Sequence, residues 1–433
     1  MYLSYGRKYK YSLFNYLVID HPLYGLHFRK NCSIKNLNSL IFDRMAFPPG
    51  VPRILNLKEN KEKRLNFSIN SLAFRGAEFS PYFKKSKLRI FCLGGSTTAG
   101  TCVNDNETWP FQIESFFKNN RLDIEVINGG VPSWYSYHDL LRLKNEIYNY
   151  VVDVVLLHEG WNEEFFYSSL SLGEKWKPRM VRNVREEYNL YCPPNKFLSN
   201  TVLLSLFLLI QAYLKSQVFI PNMRFTNPNR WKVLQNPIYV LSWFDNLVEI
   251  AKIALEKNIL LYTIDPPGLV NLGDSYQDRQ YYIRNSRLTP LYADYQAVSK
   301  KIISHVLFET SKLIPCLNVD EDFLNYKGPE RVKLFYDEIH LTAKGGRLLA
   351  ESIGNKLIQN EAFKKRYELA NDKAGISNVE FHDSTVQQIR DTIKKNKPYI
   401  DWFINSKVNE LRNQATRITV DSSEVPRDRY TTF

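Results

Sequence analysis

Four short stretches of this sequence carry residue types that acyl chemistry uses. They are Gly94-Gly95-Ser96-Thr97-Thr98, Asn128-Gly129-Gly130-Val131-Pro132-Ser133, His158-Glu159-Gly160-Trp161-Asn162, and Asp337-Glu338-Ile339-His340-Leu341-Thr342. A serine hydroxyl is a weak nucleophile until a base takes its proton, and His340 is the natural base for Ser96. An imidazole needs an acceptor on its second nitrogen to fix its tautomer, and Asp337 stands three residues before His340. A tetrahedral intermediate needs donors aimed at its oxyanion. The N–H of Ser96, a backbone N–H in the 128–133 turn and the amide of Asn162 are the candidates.

The first three stretches directly follow apolar runs, and the fourth follows the last run past a loop, which says what must position them. The runs at 88–93 and 151–157 read as buried parallel strands, as do 125–128, 259–264 and 314–319. Helical periodicity is expected at 109–118, 136–148, 237–257 and 292–312, and from Thr342, placed as an N-cap, to about residue 360. Strands alternating with helices imply an α/β fold: a three-layer α/β/α sandwich around a mostly parallel, flavodoxin-like five-stranded sheet. In such sheets ligands bind at the carboxyl ends of the strands, where all four stretches fall.

GGSTTAG, the turn at 128–136, GWNE and DEIHLTAKG, with a Trp109-Pro110 pair after the first, resemble the four blocks of SGNH/GDSL-type hydrolases, in the family's order over roughly 250 residues. The resemblance implies Ser96 as nucleophile, Asn162 as oxyanion donor, and Asp337 with His340 as the base pair. It implies no cofactor and an ester-bearing small molecule or glycan as substrate. Related proteins often accompany bacterial surface-polysaccharide synthesis. The sequence departs from the family twice. Gly95 stands where an aspartate is usual, and Ser133 aligns with the oxyanion glycine, with Gly130 as the alternative. Because that donor is a backbone N–H, serine can serve if the turn accepts a side chain. Trp134 and Trp161 neighbour the site and are candidate walls of a substrate pocket, with core packing as the other reading.

Two near matches fail on chemistry. Gly95 to Gly100 has phosphate-loop glycine spacing, but Thr101-Cys102 stands where Lys-Ser/Thr is required. His158-Glu159 begins like a zincin helix, but Asn162 occupies the second histidine position, so no metal site is expected. His138 and His305 read as surface or packing residues. Five cysteines without a C-x-x-C pair fit a reducing compartment.

At 44% hydrophobic, 14% aromatic and 24% charged, the 433 residues hold enough apolar mass for a large core, and disorder is not the default. The net charge of +13 is uneven: residues 1–88 hold 16 basic and 5 acidic side chains, and 89–363 are near neutral. The basic segment 1–87 reads as an extension of short strands and loops with a solvated face, able to recruit an anionic surface. No nucleic-acid-binding module is recognised. The catalytic unit is expected at 88–365, with an inserted cap at 163–236, and 366–433 as a helix and polar tail. The apolar run 201–214 is too short to span a bilayer and no signal peptide is evident, so a cytoplasmic protein is expected. The same triad serves ester hydrolysis or O-acyl transfer to a sugar or lipid hydroxyl, and a catalytically silent binding protein is the third reading.

Overall fold

In the computed structural model, residues 17–21, 23–38, 64–163, 237–286, 290–369 and 377–395 are described. The inserted cap expected at 163–236, its apolar run 201–214 and the polar tail beyond residue 395 lie outside them, apart from Glu163.

Five parallel strands form the central sheet: β5 (Leu88–Gly94), β6 (Ile124–Asn128), β7 (Val154–His158), β8 (Leu260–Asp265) and β9 (Cys316–Asn318). Their order is β6-β5-β7-β8-β9, the flavodoxin-like arrangement. Every residue of β5, β7 and β8 is buried, as a strand covered on both faces requires. Helices Trp109–Asn119 and Ala343–Gln359 pack together closely, Gly354 lying against the Phe116 ring and Gly346 against the backbone of Trp109. Helices Ser136–Asn145 and Pro237–Glu256 form a second packed pair, and Pro237–Glu256 also meets Pro290–Thr310. With this strand order, crossovers of the usual right-handed sense assign the two groups to opposite faces. The expected three-layer α/β/α architecture is therefore the one observed.

Before this sheet come β1 (Val18–His21) and β2 (Gly25–Phe28), an antiparallel pair, and β3 (Cys32–Asn38) with β4 (Arg64–Ile69), another. Single antiparallel bridges from Ile69 to Arg75 and from Arg75 to Asn128 carry β4 onto the β6 edge of the main sheet. Phe74 and Phe79 then enter the main core against Phe91, with ring centroids 5.7 and 5.8 Å away.

Candidate active site

The chain reverses its winding between β5 and β7, and the crevice at their carboxyl ends is the place where such sheets bind ligands. Ser96 follows β5 and opens a one-turn helix, Ser96–Ala99; Asn162 follows β7. Asp337 and His340 reach the same crevice from the loop before helix Ala343–Gln359. That helix is capped by the Thr342 hydroxyl, which accepts from the Gly345 N–H at 3.2 Å.

Ser96 Oγ and His340 Nε2 are 2.7 Å apart, and His340 Nδ1 lies 2.7 Å from Asp337 Oδ2. The other Asp337 oxygen accepts the N–H groups of Ile339 at 2.9 Å and His340 at 2.7 Å. Burial alone would raise the Asp337 carboxyl. The imidazole of His340 and the bonds from His340 and Ile339 outweigh it and hold the group below its ordinary value. An ionised Asp337 is what orients an imidazole toward a serine.

Asn162 Nδ2 donates to the Trp134 carbonyl at 2.7 Å, which fixes the carboxamide and leaves it a second hydrogen. In the 128–134 turn, the N–H groups of Gly129, Gly130, Val131 and Trp134 donate to Cys92 O, Asn128 Oδ1, Gly94 O and Val131 O. Pro132 has no N–H. Ser133 therefore remains the donor candidate, and its φ of 67° is the left-handed backbone that a glycine favours. The departure at Gly95 also has a physical reason: a Cβ there would lie 2.6 Å from Asn162 Nδ2 and 2.8 Å from Trp134 O.

The two tryptophans separate. Trp161 lines a cleft with Ser96, His158, Asn162 and Ile339. Trp134 is fully enclosed, stacked on His138 at 5.4 Å and tilted against Tyr24 and His27. Its indole packs in the core, the second of the two readings open for it, and its carbonyl accepts from Asn162. On the other side of Ser96 a second cleft runs between Thr97, Cys102, Val103, Trp109 and His340.

Several buried groups escaped the sequence reading. Asp139, Glu159 and Glu163 are enclosed behind Asn162, and Glu163 Oε1 accepts the Ser136 N–H at 2.8 Å. Burial raises all three, Glu163 to about 8; Asp139 pushes Glu159 further up, while the hydrogen bond with Glu159 and the charge of Arg142 hold Asp139 back. Glu338, beside Asp337, accepts from the Tyr292 hydroxyl at 2.6 Å and is raised by burial and by its neighbour's charge. His158 is buried against Trp109 and held neutral, its pKa lowered to about 3 by burial. Isolated acidic letters give no sign of enclosure; only the i, i+4 spacing of Glu159 and Glu163 around Asn162 hinted that they share a site.

These features define a parallel α/β protein with a hydrogen-bonded serine–histidine–aspartate row at the strand ends. No family model matches the sequence, and no curated protein matches it. Among solved structures, the chain is similar to a GDSL-like lipase from Bacteroides thetaiotaomicron, at 14% identity over 65% of this chain and 92% of that one, with a TM-score of 0.32. It is similar to the acetyl xylan esterase AlAXEase, at 14% identity over 62% and 99%, with a TM-score of 0.35. It is also similar to the psychrotrophic esterase EstA from Pseudoalteromonas sp., at 14% over 63% and 99%, with a TM-score of 0.33.

Proposed function

We propose that this chain is a serine hydrolase of the SGNH/GDSL type that cleaves ester-linked acyl groups, with residues 88–365 as its catalytic unit. The observation that carries the reading is the unbroken row Ser96 Oγ to His340 Nε2 to Asp337 Oδ2, each step 2.7 Å. His340 takes the Ser96 proton as Oγ attacks the ester carbonyl. The N–H groups of Ser96 and Ser133 and the free hydrogen of Asn162 receive the oxyanion. His340 then gives the proton to the departing alkoxide, leaving an acyl-serine and a free alcohol. Water, deprotonated by His340, attacks that acyl group, and the proton returns to Ser96. The near-neutral charge of 89–363 suits an uncharged ester. A glycan ester is the substrate that the family resemblance favours.

The test is turnover of 4-nitrophenyl acetate by the wild type and by Ser96→Ala. We expect the variant to lose at least about 1000-fold. Equal rates in the two proteins would refute the assignment.

A further inference from the structure

We infer that Arg75 is a positioning residue for the nucleophile turn, so that the segment 64–80 is a structural part of the site. The helix Ser96–Ala99 is a single turn, and a helix that short cannot bond its own terminal carbonyls. Arg75 does so from below. Its Nη1 donates to the carbonyls of Ala99 and Gly100, and its Nη2 donates to Val103 O at 2.7 Å. Nε holds Asp105 Oδ1 at 3.0 Å, and the guanidinium lies 3.8 Å from the Phe67 ring centroid. A cation at a helix C-terminus also complements the helix dipole.

The same segment ties down the far end of that loop. Asp105 accepts from Ser68 N at 3.2 Å and Ser68 Oγ at 2.7 Å, and Asn104 Oδ1 accepts from Asn66 N at 2.7 Å. The backbone of Arg75 pairs with Asn128, the first residue of the turn that carries Ser133. One buried side chain and its own main chain thus touch both loops that offer backbone donors. Four acceptors arranged around a planar fork suit arginine; a lysine ammonium, one point charge with three donors, cannot span them.

The experiment compares full-length wild type, Arg75→Lys, Arg75→Ala and Asp105→Asn. Amide hydrogen exchange is followed at 95–103 and, as an internal control, in the helix Ala343–Gln359. We expect exchange at 95–103 to quicken about tenfold while the control stays unchanged. With 4-nitrophenyl acetate we expect kcat to fall about 100-fold in Arg75→Lys at a KM within about twofold of wild type. Guanidinium at sub-denaturing concentration should restore part of the kcat of Arg75→Ala, and equal sodium chloride should not. Unchanged exchange at 95–103, equal quickening in both segments, or an unchanged kcat per folded molecule would each overturn the inference. The kinetic arm rests on the proposed esterase reading. The exchange arm does not, so a wild type inert toward every ester would refute that reading and leave the test of Arg75 intact.

Discussion

The Asn162 carboxamide and the Trp134 carbonyl, 2.7 Å apart, clamp the second and third strand-end loops together. Gly95 lies against both partners, closer than any Cβ allows. Restoring the acid that related motifs carry, Gly95→Asp, should therefore harm this protein. We expect kcat for 4-nitrophenyl acetate to fall about 100-fold, as loss of one oxyanion donor does, with a lower Tm in the same preparation. An active Gly95→Asp would show that the clamp is dispensable.

Ser133 pays for its left-handed backbone, at about 1–2 kcal/mol for a residue with a Cβ. Ser133→Gly should raise stability in urea by up to about 1 kcal/mol with turnover kept, because the oxyanion donor proposed there is the main-chain N–H. A β-branched replacement is a genuine outlier at this φ, so Ser133→Val should lose both stability and turnover.

Asp337→Asn keeps the shape of the side chain but presents the wrong partner to His340 Nδ1. We expect kcat to drop by about 10,000-fold, with little change in circular dichroism. A loss below about tenfold would detach Asp337 from the chemistry.

Stability should respond to pH in opposite directions through two buried acids. The Asp337 carboxyl, held below its ordinary value of 3.8, adds stability above that pH, and the contribution is lost as pH falls. Glu163, raised from 4.5 to about 8, acts in reverse: its contribution is complete below 4.5 and is lost as pH rises through about 8. Thermal unfolding from pH 5 to pH 9 should therefore show a falling Tm, with Asp139 and Glu159 acting in the same sense and Arg142 moderating Asp139. Glu163→Gln, which keeps an acceptor for Ser136, should flatten that slope. A slope identical to wild type would remove Glu163 from the account.

The sheet was legible because β5, β7 and β8 are covered on both faces, which forces uninterrupted apolar runs. The edge was less so. The run 314–319 shortens to Cys316–Asn318 because Ile314 N still bonds Thr310 O, at the end of the preceding helix, and Val319 becomes the cap of the next one. The helix expected over 136–148 stops at Asn145 and tightens into a single 3-10 turn at Ile147–Asn149. At the site, Ser96, Asn162, Asp337 and His340 were legible because each follows a strand or precedes a capped helix. Trp134 was ambiguous, since an indole beside a motif reads the same whether it faces substrate or core. Arg75 was hidden altogether: in a strongly basic segment an arginine reads as solvated charge, yet only 4% of this one is exposed.

Ser96 and His340 are 244 positions apart in the chain. At typical synthesis speeds of about 5–20 residues per second, the ribosome adds the imidazole roughly 12–50 s after the hydroxyl. Through that interval the nascent chain carries a serine with no base beside it. A product released early, before the loop at 337–342 is made, would carry the nucleophile and remain inert.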